Sequence, residues 1–362
     1  NKLTAVAALK QISANAWFSE RVLDLELLAE FPSTKEAVQD YASVFPFGVD
    51  SPQYEVMQQE WNDLFTAYNN EKGYYDLFLI GLDGTVVYSV THEADFATNM
   101  VDGQYASSGL GVVSRAALGG NFLITDIESY APSAGIAASF IGQPIKDHSG
   151  NVIGGLVLQL PLDQVNSIMQ ERTGLGESGE TYLVGQDTLM RSDSRFSEES
   201  TILVSTVDHE PVLRALNGES GVTTAPDYRG IDVRSVYSPF EFRGLQWAIL
   251  SEIDEAEIAI PTVSLRNMIL IVGVIAAIAL AAAAFFLAQT FSKPISKVRD
   301  ALVAVSTGDL TQDARVDAQD EIGDMARAYG DMQAYLREAA AAADQIAVGD
   351  LNIDVTPKSD ND

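Results

Sequence analysis

The spacing of apolar residues changes period several times along the chain, and each change marks an element. Leu3, Val6, Leu9 and Ile12 recur every third residue, and Val22, Leu25 and Leu28 resume the stripe. That spacing predicts a long amphipathic helix. Phe45-Pro46-Phe47-Gly48 and Ser51-Pro52 interrupt it. Trp61, Leu64, Phe65 and Tyr68 then place a second helix over residues 54–69. Residues 1–73 read as a helical stalk.

From Tyr74 the pattern becomes strand-like. Tyr75 to Gly81 is an apolar run, Asp83-Gly84 a tight turn, and Val86 to Val90 the returning strand. A partly helical polar stretch over residues 96–118 follows, then strands at 122–124, 137–145 and 152–160, and a helix at 162–172. The pattern recurs: a strand at 181–185, a hairpin partner at Leu189-Met190-Arg191-Ser192, a helix around 212–216, and strands at 221–224, 231–237 and 247–252. Two antiparallel α+β modules are predicted, 74–172 and 173–260.

Met268 to Ala288 contains no charged residue. At 1.5 Å per residue this stretch spans about 30 Å, so a transmembrane helix is expected within 266–289. Lys293, Lys297 and Arg299 follow it, whereas Glu252, Asp254, Glu255 and Glu257 crowd the other flank. The positive side belongs in the cytoplasm, which leaves residues 1–266 outside. Because the chain opens in an apolar-periodic stretch, an earlier span upstream of Asn1 is expected.

Beyond the span, Ile295, Val298, Leu302 and Val305 alternate by three and four, as in a coiled-coil seam. A polar connector carries Gly308-Asp309-Leu310. Asp320-Glu321-Ile322-Gly323 opens a second helix with a seam of Ile322, Met325, Tyr329, Met332, Leu336, Ala339, Ala343 and Ile346. A shift of 41 residues carries Gly308-Asp309-Leu310 onto Gly349-Asp350-Leu351. The first relay unit is thus read at 290–342, with a second beginning at 335–362.

Composition narrows the function. The net charge is −29, with 15 Lys/Arg against 37 Asp/Glu up to Arg266 and 7 against 14 after it. No basic face is available for nucleic acid. There is no cysteine, and His92, His148 and His209 lie far apart, so neither disulfide nor metal is expected. Gly174-x-Gly176-x-x-Gly179 matches a dinucleotide fingerprint but follows a helix and precedes a strand, the reverse of what a nucleotide site needs. With no catalytic motif, the chain is read as neither an enzyme nor a cofactor binder.

The segments FLIGLDGTVVYSV, SFIGQPIKDHSGNVIGGLVLQLPLDQV and RTGLGESGETYLVGQDTLMRSDSRF resemble double-Cache sensors, the tandem PAS-like domains found outside bacterial membranes. The proline after the span, the Gly-Asp-Leu connector and the Asp-Glu-x-Gly helix start resemble a HAMP domain, here in tandem. The resemblance implies a homodimeric receptor in the bacterial inner membrane, with a small-molecule ligand in the membrane-distal module. By position in that module, Tyr105, Ser107, Asp126, Tyr130 and Ser133 are expected to line the pocket. Pro294, Gly308, Glu321 and Gly323 are expected to relay the signal. The output is expected to be chemotaxis, through cytoplasmic signalling proteins. A histidine kinase or nucleotide cyclase is the alternative, and a ligand-free adhesion module a third.

Overall fold

The computed structural model describes residues 2–349 and residue 357. Residues up to Pro261 form one compact unit and those from Thr262 another.

In the first unit, α1 (Lys2–Glu30) is a single helix. Phe31-Pro32 then turns the chain into α2 (Pro32–Val44), a break the helical pattern did not reveal. A short 3₁₀ turn leads to α3 (Pro52–Lys72), capped by the Ser51 side chain and closed by Gly73 in the left-handed region. The expected stripe on α1 holds only in part. Leu3, Val22, Leu25 and Leu28 are buried, but Leu9 and Ile12 are more than 60% exposed. Ala14, Trp17 and Phe18 are buried instead, because α1 packs first on one sheet and then on another. Lys10 donates to the carbonyls of Met169 and Glu171 at the end of the fifth helix, a cation satisfying a helix C-terminus.

The first sheet has the order β2-β1-β7-β6-β3. Its strands are β1 (Asp76–Ile80), β2 (Val86–Ser89), β3 (Leu123–Ile124), β6 (Phe140–Lys146) and β7 (Val152–Gln159). The hairpin at Asp83-Gly84 forms as predicted, with Asp83 accepting from the Thr85 amide. One face packs against α1 and α2. The other is covered by α4 (Gly109–Leu118) and by a small hairpin of β4 (Glu128–Tyr130), which the periodicity did not predict, and β5 (Ile136–Ala138), which splits off the start of the strand predicted at 137–145. A Cβ at Gly142 would lie 2.3 Å from Val113, so glycine is what lets α4 approach β6.

The α5 helix (Leu162–Gln170) leads to the second sheet, of order β8-β11-β10-β9. Its strands are β8 (Glu180–Val184), β9 (Gly221–Pro226), β10 (Asp232–Phe242) and β11 (Leu245–Asp254), and α6 (Glu210–Leu216) lies on one face. The glycine-rich 174–179 stretch is a loop between α5 and β8. The hairpin partner expected at 189–192 is reduced to a single bridge from Met190 to Val184.

The long helix α7 (Glu255–Leu287) begins before the boundary at Pro261, and in the second unit it carries an uncharged stretch whose side chains from Met268 to Leu287 are exposed. It is long and apolar enough to cross a membrane. Pro294 does not break the helix. A π-helical turn over Ala288–Ser292 precedes it, and α8 (Lys293–Ser306) continues with Pro294 in its first turn. The missing proline N–H is absorbed by that wider turn. Gly308, at φ +91°, ends α8. Asp320 caps α9 (Glu321–Ala347) by accepting from the amides of Ile322 and Gly323. Glu321 is exposed in the first turn, where its charge suits the helix dipole. A Cβ on Gly323 would lie 1.9 Å from the Ala318 carbonyl oxygen, so the connector requires glycine there. Val298, Ala301, Ala314, Ala326 and Tyr329 make the small core of α8, α9 and the connector. The seam residues Ile295, Leu302, Met325, Met332 and Ile346 stay exposed. Of the expected second unit, residues 335–347 form the end of α9, whereas Asp350-Leu351 of the repeated motif and the residues after them lie outside the described residues apart from residue 357.

Candidate functional site

The covered face of the first sheet is apolar at its centre and acidic at one edge. Phe78, Ile80, Val86, Phe140 and Val157 from the strands meet Leu110 and Val113 of α4, with Met100 and Tyr130 from the covering segments. Arg115 of α4 holds those segments down by donating to the carbonyls of Met100 and Ala106. Tyr105 packs half-buried against this cluster. The Tyr130 ring meets Phe140 edge to face at 4.8 Å, and its hydroxyl donates to Asp95 Oδ2 at 2.6 Å.

Asp95 is fully buried, and its Oδ1 has no hydrogen-bond partner. Ser133, also buried, donates to Glu93 Oε2 at 2.6 Å, and Tyr75 donates to the other oxygen at 2.8 Å. Asp76, at the start of β1, accepts from the hydroxyls of Ser89 and Thr91 and from the amides of Leu77 and Val90. Burial is the main force on both aspartates. It raises the Asp76 carboxyl above its ordinary range despite these donors. It pushes Asp95 up to about 6, with the Asp76 and Glu93 charges adding to the effect and the Tyr130 hydroxyl opposing it. Burial, followed by the Asp95 charge, drives the Tyr130 phenol above its usual range. Three acids and one free carboxylate oxygen thus converge beside an aromatic wall, chemistry suited to a small cationic group.

Of the five expected pocket residues, the structure brings Tyr105, Tyr130 and Ser133 to this face. Ser107 is exposed on the loop, and its neighbour Ser108 caps α4 instead. Asp126 serves elsewhere. It accepts from Arg191 Nε at 2.8 Å, from Arg191 Nη2 at 3.0 Å and from Trp247 Nε1 at 2.8 Å, and so ties the first sheet to the second. Asp95, Glu93 and Asp76 were missed. A returning strand followed by a run of acids and hydroxyls, Ser89 to Asp95, was the available signal.

A HAMP domain model matches residues 286–338. Methyl-accepting chemotaxis protein McpB of Bacillus subtilis is 23% identical over 214 residues, which is 58% of this chain and 30% of that protein. Sensor protein kinase WalK of Staphylococcus aureus is 37% identical over 76 residues, 21% of this chain and 12% of the kinase. The chain therefore spans less than a third of the length of these curated relatives. Among solved structures, the ligand-binding domain of the Pseudomonas aeruginosa amino acid chemoreceptor PctC, in complex with GABA, aligns at a TM-score of 0.46. It is 16% identical and covers 69% of this chain and 97% of that one. The segment 286–338 thus matches the HAMP domain model and has a glycine-dependent connector and a capped second helix, with the exposed apolar helix ahead of it.

Proposed function

We propose that the chain is the sensing and relay portion of a transmembrane receptor and not an enzyme. Residues 74–172 act as the membrane-distal Cache module, residues 173–260 as the proximal one, and α7 as the span. The observation that carries this reading is the order of parts: two antiparallel-sheet modules, a long helix with an uncharged apolar stretch, then the HAMP match. A small molecule binds the covered face of the first sheet, with Tyr105, Tyr130 and Ser133 around it and Asp95 offering its free oxygen to a protonated amine. Binding shifts the balance between two arrangements, limited by the ligand's affinity difference for them, about 1–3 kcal/mol of coupling. The exposed seam of Ile295, Leu302, Met325 and Met332 packs against a second copy in a parallel four-helix HAMP bundle, with Pro294, Gly308, Glu321 and Gly323 setting the helix ends.

Chemotaxis is the favoured output. The 214-residue likeness to McpB is longer than the whole chain after Thr262, so it reaches into the sensing modules, whereas the 76-residue likeness to WalK does not need to. A histidine kinase is the second reading, on the higher identity of that shorter match. The test is a thermal-shift screen of the chain in lipid nanodiscs against amino acids, amines, carboxylates and purines. A ligand at a hundred times its Kd stabilises by about 2.7 kcal/mol. An amine-bearing hit abolished by Asp95→Asn and Tyr130→Ala supports the reading. A panel without hits removes direct sensing at this face.

A further inference from the structure

The second sheet ends in a polar row that its apolar strands do not need. In register across it stand Glu180 on β8, Glu252 on β11, Ser235 on β10 and Thr223 on β9. Side chains alternate along a strand, so these four share the face that carries Tyr182, Leu250 and Tyr237 two residues away. Asp227, at the start of the β9–β10 turn, reaches the same end. One carboxylate oxygen from each of Glu180, Asp227 and Glu252 lies within 4.8 Å of the others. The three residues are 3%, 5% and 1% exposed.

Such a cluster repels itself, since like charges directly opposite on neighbouring strands are unfavourable and burial magnifies the cost. Of the nearby cations, one joins the cluster and one does not. Arg229 pairs with Asp227 and Asp254, and Arg195 donates to the carbonyls of Gly179 and Glu177. Among the described residues no cationic side chain forms an ion pair with Glu180 or Glu252. Three carboxylates against the Arg229 guanidinium leave two negative charges.

A second observation is independent of the acids. Ser235 is fully buried and faces Glu252 across the β10–β11 pair, and its hydroxyl has no partner besides that carboxylate. Oε1 of Glu252 has no other partner. The other groups present are oxygens as well: Tyr182 donates to Glu252 at 2.8 Å, and Tyr228 to Glu180 at 2.7 Å. His209 Nε2 is engaged with the Tyr182 hydroxyl.

We propose that Glu180, Asp227 and Glu252, with the Ser235 hydroxyl, hold an oxygen-preferring divalent cation of the calcium class. Calcium–oxygen bonds of about 2.4 Å place two ligands of one ion at most about 4.8 Å apart, and the three oxygens lie within 4.8 Å of one another. The ligand atoms that converge are all oxygens, the donor set that calcium prefers. This departs from the expectation of no metal, which rested on histidine and cysteine. The ion would tie β8, the β9–β10 turn and β11 together immediately before β11 runs into α7.

The test uses the whole chain in nanodiscs, stripped with EDTA and titrated with terbium and then calcium. Tyr182 and Tyr228 sensitise terbium emission. The expected result is a saturable emission component displaced by calcium, and a calcium-dependent rise in Tm that magnesium at equal ionic strength does not reproduce. Both are lost in Glu180→Gln and Glu252→Gln. Ser235→Ala, which removes no charge and serves if the glutamine variants fail to fold, weakens binding roughly tenfold. Equal responses in wild type and variants would show only screening of a chain with net charge −29 and would overturn the proposal. A wild type with no saturable component, or one that responds to methylammonium and not to calcium, would overturn it too.

Discussion

Replacing Asp126 by alanine tests whether this residue is a clamp between sheets or a part of the ligand site. Its carboxylate takes two parallel bonds from Arg191 and a third from the Trp247 indole. Arg191 is 3% exposed, and its remaining carboxylate partner is Asp187. Truncation therefore strands part of a buried guanidinium and an indole N–H. Breaking a fully buried pair costs about 3–5 kcal/mol, while an exposed pair contributes about 0–1. Asp126 itself is 44% exposed, so solvent replaces some of what is lost. An intermediate cost of about 2–3 kcal/mol follows. For a unit of this size that lowers Tm by roughly 5–10 °C. Melting curves of wild type, Asp126→Ala, Arg191→Ala and the double variant close a thermodynamic cycle, and a coupling of at least about 1 kcal/mol is expected. Ligand affinity at the first sheet should be unchanged. Additive effects, or a Tm within about 2 °C of wild type, would refute the clamp. Lost binding with unchanged Tm would return Asp126 to the pocket.

Asp95, raised from its ordinary value to about 6, binds a proton more tightly folded than unfolded. Its favourable contribution is complete below about pH 3.8 and is lost as pH rises through about 6, by up to about 3 kcal/mol. Asp95→Asn should therefore be more stable than wild type at pH 7.5, and melting from pH 8 to 5 should show the gap closing. Gly323→Ala should cost roughly 1–3 kcal/mol through the clash with Ala318, read as lost helicity and altered cross-linking between copies of α9. Pro294→Ala should let the π-helical turn relax to α-helix, rotating α8 by about 100° relative to α7, visible in cysteine cross-linking patterns along α8. An unchanged pattern would show that the turn does not depend on the proline.

Much of the fold was readable because local chemistry and burial agreed. Asp83-Gly84 needs no distant partner to turn, the uncharged stretch from Met268 forms one long apolar helix, and Asp320 and Gly323 mark a helix start by capping and close approach. The failures have a common cause. Leu9 and Ile12 were placed inside because they keep a period, yet α1 changes partner along its length, so Ala14, Trp17 and Phe18 define its buried side. Asp126 was assigned to a pocket from its place in the chain, and nothing nearby in sequence announces Arg191 or Trp247. Asp95 carries no spacing signature. Its significance arises only when Tyr130, 35 residues on, arrives above it.

The passage of α1 along both sheets has a thermodynamic consequence. Phe18 meets Phe240 and Trp247 of the second sheet, while the carbonyl of Leu25, two turns later, accepts from Gln143 of the first. A segment shared in this way cannot detach from one sheet and keep its contacts with the other unstrained. The two sheets should then open and exchange their amide protons as a single cooperative block, so that tightening either one protects both.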